Sequence, residues 1–196
     1  EIDDKVLDVI KSSKVIVDHI HIPLQSGCTK TLKDMNRKYD IEYFKNKIAK
    51  IRSIRPEISI TTDVIVGFPG ETEDDFKTTV ENIKEINFSK IHVFPYSVRK
   101  GTKAEFMDNQ VSENVKKERV KVLLELSKEL EINYMNKFLN KKVIFIPEVF
   151  KDSYLIGHTG NYLLIKANGD KNLLNTDTNA IIKKIDYPYC IADICK

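Results

Sequence analysis

Residues 64–76 read VIVGFPGETEDDF. The chemistry such a stretch can do is ligand binding at a turn. Gly67 and Gly70 permit backbone angles and close approaches that a side chain forbids, and Pro69 fixes one φ and removes one donor. Thr72 followed by Asp75 is a capping-box spacing, and Glu73, Asp74 and Asp75 lie where a helix N-terminus favours negative charge. A turn of this kind lies at the carboxyl end of its strand, where α/β folds bind ligands. Glycines that serve the turn alone are the other reading. Four basic residues, Lys116, Lys117, Arg119 and Lys121, crowd the start of a later helical stretch. They read as a solvated face or, alternatively, as a phosphate contact. His19 and His21 share one strand face and could bind a metal, but no carboxylate partner is evident in the sequence. Cys28, Cys190 and Cys195 are odd in number and lack metal spacing, so they read as three reduced structural thiols.

These residues need elements to place them. Ile58–Val66 is rich in β-branched residues and does not alternate at its end, as a strand buried on both faces does not. Asp18–Leu24 leads into Gln25-Ser26-Gly27 and a helix from Thr29 to Met35, and a second helix spans Ile41–Ile54. A third runs from Glu73 to Ile86, and Lys90–Pro95 is a third strand. Asp3–Lys11 reads as a helix feeding the first strand. Strands alternating with helices give β-α-β-α-β, part of a (β/α) barrel or an open parallel sheet. Ser112–Leu139 reads as a long amphipathic helix with Val115, Val122, Leu123, Leu126, Leu130 and Tyr134 near one face. After it the texture changes. Val143–Phe150, Tyr154–His158, Asn161–Ala167 and Ala180–Ile185 are short strand candidates separated by turns, a small antiparallel barrel-like domain. The division is expected at 1–137 and 138–196.

Composition bounds the rest. Of 196 residues, 41% are hydrophobic and 31% charged, as in a globular protein, and no run is long enough to cross a bilayer. No signal peptide is apparent, so a cytoplasmic location without membrane partners is expected. The net charge is +3, and residues 138–196 hold eight basic and six acidic residues. Neither half has the bias of a protein that binds nucleic acid by charge alone. RNA contact has to rest on local patches and shape. The first residue is Glu1, so the chain reads as processed or as a piece of something longer.

Five stretches together are more specific than any one: HIPLQSG (21–27), MNRKYD (35–40), TTDVIVGFPGETEDDF (61–76), HVFPYSVRKGTKA (92–104) and GHTGNY (157–162). In this order and spacing they resemble the radical SAM methylthiotransferases, which insert a methylthio group into a tRNA adenosine or a ribosomal protein. HVFPYS and GHTGNY most resemble the branch that modifies carbon 2 of N6-threonylcarbamoyladenosine beside the anticodon. The resemblance implies an α/β fold, a partial (β/α) radical SAM barrel followed by a small antiparallel OB-like barrel, the TRAM domain. It implies S-adenosylmethionine and two 4Fe–4S clusters in the full-length protein. The family's Cys-x3-Cys-x2-Cys signature is absent here, so the fragment by itself is expected to have no cofactor bound, neither cluster nor S-adenosylmethionine, and to be inactive.

The resemblance also implies the sites. Gln25, Ser26, Asp63, Gly67, Phe94, Tyr96 and Arg99 are expected toward S-adenosylmethionine. Arg37, Lys142, His158, Asn161 and Tyr162 are expected toward the tRNA anticodon stem-loop, with Arg37 also able to take the methionine carboxylate. Structural readings stand beside these: Asp63 pairing with a neighbour, Tyr96 or Tyr162 in a core, Asn161 forming a turn. Val98 and Lys103 stand where the family commonly has Pro. A stand-alone RNA-binding or docking module is the competing function. Sister enzymes acting on isopentenyladenosine or a ribosomal aspartate are the others. A barrel cut open is expected to self-associate through its open edges, two half-barrels completing one another, with cover of the open side by the 112–139 helix as the alternative.

Overall fold

The computed structural model describes residues 3–195. The chain forms two compact units: residues up to Ser13 with Ile20–Leu130, and Lys14–His19 with Glu131–Lys196. The first unit is built from α1 (Asp4–Ser12), β1 (His19–His21), α2 (Thr29–Asp34), α3 (Ile41–Ile54), β2 (Ser59–Val66), α4 (Glu73–Ile86), β3 (Lys90–Pro95) and the first turns of α5 (Glu113–Asn136). Its sheet has the order β1-β2-β3, and β2 pairs with β3 in parallel from Thr61 opposite Lys90 to Val66 opposite Pro95. Leu24, Ile60, Val64, Val66, Ile83 and Phe88 fill the core between sheet and helices.

The first strand is shorter than the expected Asp18–Leu24. Its ladder stops at His21 because Pro23 has no N–H to give. Thr62 fills the gap: its Oγ1 accepts from Leu24 N–H at 2.8 Å and donates to the Ile22 carbonyl at 2.7 Å. Pairing resumes at a bridge between Gln25 and Val64. At α4 the capping box forms as its spacing predicts. Thr72 Oγ1 accepts from Asp75 N–H and the Asp75 carboxylate accepts from Thr72 N–H.

The buried face of α5 differs from the expected one. Val115 and Val122 are exposed, whereas Lys116 and Arg119 are buried with Leu123, Leu126 and Leu130. The buried positions follow a 3-4 repeat, and the two cations stay on it because each meets a carboxylate, described below.

The second unit is a closed five-stranded barrel of order β4-β5-β6-β8-β7, from β4 (Lys142–Lys151), β5 (Tyr154–Thr159), β6 (Leu164–Asn168), β7 (Thr178–Asp186) and β8 (Tyr189–Ile194). Four strands were expected; β8 is the fifth. Its YCIADI alternates inward Cys190 and Ala192 with outward positions. It closes the barrel by pairing with β7 antiparallel and with β6 in parallel, the one departure from an antiparallel barrel. Asn161 and Tyr162, expected in a strand, lie in the turn before β6.

Candidate functional site

A cavity of about 790 Å³ opens at the carboxyl ends of β2 and β3. Gln25, Asp63, Phe94, Tyr96, Arg99 and Arg37 all line it. The sheet places them. Gln25 has φ 70, donates its N–H to the Asp63 carbonyl at 2.8 Å and accepts from Ile65 N–H at 2.8 Å. The two bonds hold Gln25 against β2, beside the cavity that it lines. Asp63 precedes the apolar run of β2, and its carboxylate lies 3.4 Å from His21 Nε2, while His21 Nδ1 meets Thr61 Oγ1 at 2.9 Å. The missing carboxylate partner for His21 is therefore Asp63.

Tyr96 N–H donates to the Val66 carbonyl at 2.8 Å, which carries β3 one residue past its end. Its ring meets Phe68 edge to face at 5.1 Å, and Lys116 Nζ lies 5.5 Å from the ring centroid. Phe94 is half exposed, and Arg99 starts the turn closed by Thr102 N–H on its carbonyl. Two aromatic rings, two guanidinium groups, an amide and a carboxylate thus face one space. Its size is within the range of small-molecule sites. Such a set suits a ligand with a flat ring, hydroxyl or amine donors, and a carboxylate or phosphate.

Two of the expected residues are elsewhere. Ser26 is fully buried, its Oγ 3.3 Å from Thr79 Oγ1 and accepting from Cys28 N–H. Gly67 is not on the cavity wall. Its φ is 76, its N–H donates to Glu71 Oε2 at 2.6 Å, and a Cβ there would strike the Lys116 stem. Glu71 in turn holds Arg119 Nη1 at 2.7 Å, and Lys116 holds Glu113 at 2.8 Å. Burial pushes the Glu71 carboxyl above its ordinary range, against the pull of Gly67 N–H and Arg119. The basic run of α5 is thus half internal, not a solvated face. Sequence reasoning missed these three; the signal was the spacing 116, 119, 123, 126, 130, which carries the apolar stripe back onto the two cations.

The second unit holds the remaining candidates. Tyr162 is 62% exposed, in the left-handed region at φ 64. Its ring lies 4.3 Å from His19 and 5.6 Å from His158, and His158 Nδ1 is 3.1 Å from the Glu148 carboxylate. Tyr162 is therefore not core. Asn161 turns inward: its Nδ2 donates to the Tyr134 hydroxyl at 3.0 Å and its Oδ1 accepts from Thr159. Lys142 is exposed at the start of β4, opposite Ile181. Among the described residues no three His, Cys, Asp or Glu side chains converge to hold a metal ion.

Comparison with known proteins now bears on this geometry. Residues 1–83 match the radical SAM superfamily. The chain is 43% identical over 194 residues to the threonylcarbamoyladenosine tRNA methylthiotransferase MtaB of Bacillus subtilis, covering 96% of this chain and 43% of that protein. It is 43% identical over 142 residues to the Thermotoga maritima MtaB, covering 72% of this chain and 33% of that one. It is 36% identical over 186 residues to the tRNA-2-methylthio-N(6)-dimethylallyladenosine synthase of Desulfitobacterium hafniense, covering 93% and 42%. The chain thus spans less than half the length of these relatives. Among solved structures, coproporphyrinogen III oxidase (HemN) from Escherichia coli, a radical SAM enzyme, superposes with a TM-score of 0.52 at 17% identity over 94% of this chain and 44% of that one, a likeness of fold. Over nearly its whole length the chain is thus similar to radical SAM methylthiotransferases, with the superfamily match itself on residues 1–83.

Proposed function

We propose that the protein to which this chain contributes adds a methylthio group to carbon 2 of N6-threonylcarbamoyladenosine, next to the anticodon of a tRNA. The observation that carries the reading is the convergence of Gln25, Asp63, Phe94, Tyr96, Arg37 and Arg99 on one cavity at the strand ends. These residues fit S-adenosylmethionine, which when bound supplies an adenosyl group for radical chemistry and a methyl group. Phe94 and Tyr96 flank a purine ring. Asp63, held by His21, accepts from ribose hydroxyls or an exocyclic amine. Arg99 or Arg37 forms a bidentate pair with the methionine carboxylate, and the other faces a tRNA phosphate. Gln25 offers an amide donor to the same ligand. The described residues do not fit an iron–sulfur cluster, so ligation of the two 4Fe–4S clusters is assigned outside them.

The barrel unit is proposed to bind the anticodon stem-loop. Tyr162, flanked by His19 and His158, presents a ring on which an unstacked base can lie, with Lys142 for the backbone. Asn161 supports that turn from inside. The reading places the protein in the cytoplasm with its tRNA substrate.

Mass spectrometry of tRNA nucleosides from a strain lacking the gene tests the activity. Loss of the methylthiolated threonylcarbamoyl nucleoside is expected. Loss of the methylthiolated isopentenyl nucleoside would instead assign the chemistry of the dimethylallyladenosine enzymes. A lost mark on a ribosomal aspartate would move the substrate to protein. Unchanged tRNA and ribosomal protein would leave a docking or RNA-binding module.

A further inference from the structure

We propose that the first turns of α5 are a buttress for the cavity: Arg119, acting through Glu71, and Lys116, acting on Tyr96, are positioning residues for the ligand. The proposal deepens the reading of the cavity as an adenosyl site and rests on it.

The Glu71–Arg119 pair is an expensive one. The Glu71 side chain is fully buried and that of Arg119 is 6% exposed. Two ions taken out of water repay their desolvation only when their remaining hydrogen-bonding groups are satisfied. Here they are not: Glu71 Oε1 and Arg119 Nε have no hydrogen-bond partner among the described residues. A stability role would be served as well or better by two apolar side chains. What an apolar pair cannot do is accept the Gly67 N–H, which Glu71 Oε2 takes at 2.6 Å. That amide is the pivot of the loop. Gly67, at φ 76, stands between Ile65 and Phe68, both on the cavity wall. Arg119 Nη1 also reaches the Glu71 carbonyl at 3.2 Å and its guanidinium lies 5.2 Å from the Phe76 ring, so the loop is gripped by backbone and side chain together.

Lys116 works on the other wall. Its stem packs against Gly67 and its ammonium lies behind the Tyr96 ring, tied to Glu113. The Tyr96 ring is then fixed from two sides, by Phe68 at its edge and Lys116 behind. Lys30 Nζ, paired with Asp75 of α4, holds the Gly70 carbonyl at 2.9 Å. The strand-end loop is therefore held at Gly67, Gly70 and Glu71, none of which lines the cavity, while Ile65, Phe68 and Tyr96 do.

The test uses two double variants, made in the 196-residue chain for unfolding and exchange and in the full-length protein for ligand binding. Glu71→Leu/Arg119→Met replaces the pair by apolar side chains and removes the acceptor. Glu71→Gln/Arg119→Met removes both charges but keeps an acceptor for Gly67. Thermal unfolding, amide exchange at Gly67 by NMR and S-adenosylmethionine titration by calorimetry are the readouts. The apolar pair is expected to unfold below the wild-type midpoint by no more than the loss of one buried hydrogen bond, because the Gly67 N–H is left without its acceptor while the ion pair's own desolvation is relieved. Its Gly67 amide exchanges faster and its affinity falls, each by about 10-fold, the order of one lost hydrogen bond to a charged group. The Gln/Met pair is expected to retain protection and affinity to within about 3-fold of wild type. Unchanged Gly67 exchange and affinity in the apolar pair, or equal losses in both pairs, would overturn the proposal. Should the apolar pair fail to fold, Lys116→Met decides. Weaker binding at an unchanged midpoint supports the buttress, and unchanged binding removes it. A full-length wild type that takes up no S-adenosylmethionine defeats the reading of the cavity, while Gly67 exchange still reports on the loop.

Discussion

Asp75 shows how one carboxylate can serve two neighbours. Burial pushes its carboxyl up, but the Lys30 ammonium at 2.6 Å and the Thr72 backbone N–H outweigh that and hold it below the usual carboxylate range. A depressed acid stabilises the fold above its unfolded-state pKa, near 3.9 for Asp, and that contribution is lost as pH falls through the lower folded value. Asp75→Asn is therefore expected to lower stability at pH 7 by about 1–2 kcal/mol, the size of a lost cap with its charge. The gap to wild type closes as the pH drops below about 4. Urea unfolding at pH 7 and pH 3 measures this, and an equal gap at both would remove the charge from the account. The thiols also separate. Burial raises the Cys190 thiol to about 12, and its side chain is in the barrel core. Cys195 is only partly covered. A thiol reagent at pH 8 is expected to modify Cys195 in the native chain and Cys190 only in denaturant, because the thiolate is the reactive form. Mass mapping of the labelled peptides reads the order. The Thr72–Asp75 box was legible from four residues of sequence. The Glu71–Arg119 pair, 48 residues apart, was not: the 3-4 spacing of α5 puts Arg119 on its buried face, but nothing local names Glu71 as its partner.

At the scale of elements, local pattern and turn chemistry carried β2, α3, α4 and β3 to within a residue or two, since each has a cap or a β-branched run of its own. The errors have tertiary causes. β1 was overextended because Pro23 breaks its ladder and Thr62 supplies side-chain hydrogen bonds where backbone pairing was expected. β8 was missed because a six-residue segment with Ala, Asp and Cys has little β signal by itself; its partners in β6 and β7 make it a strand. The face of α5 was misjudged by taking Val115 and Val122 as inward and the cations as outward. In the barrel, Tyr162 was read as either core or contact, and its left-handed turn decides for exposure. If the exposed ring is a stacking platform, Tyr162→Ala is expected to weaken binding of an anticodon stem-loop RNA by about 1–3 kcal/mol, with Tyr162→Phe near wild type. Fluorescence anisotropy at a fixed salt concentration measures it, and an equal affinity for Tyr162→Ala would move the RNA surface elsewhere.

For the molecule as a whole, the question is what covers the sheet. A three-stranded sheet has two edges, and an uncovered edge is a template for another chain. Self-association was the outcome expected from sequence, with cover by the chain's own helix as the alternative. The geometry favours the alternative at β3. Ser127 of α5 accepts from Ile91 N–H and donates to the Ile91 carbonyl, both at 3.1 Å, so the backbone groups that would pair with a neighbour at that point are taken. Leu123, Leu126 and Leu130 add the apolar cover, in one cluster with Ile91. At the other edge, β1 is three residues long and followed closely by Pro23, which shortens the row of donors available. The chain is therefore expected to sediment as a monomer at micromolar concentration. Ser127→Ala removes the hydroxyl and leaves the Ile91 N–H and carbonyl unpaired under the helix. The expected cost is about 1–3 kcal/mol in urea unfolding, the penalty for a buried polar group without its partner. Once α5 loosens, β3 offers an edge to a second copy, so the variant is expected to sediment faster as concentration rises while the wild type does not. A wild-type chain that dimerises at micromolar concentration, or a Ser127→Ala variant that stays monomeric and equally stable, would show that α5 is not what closes this edge.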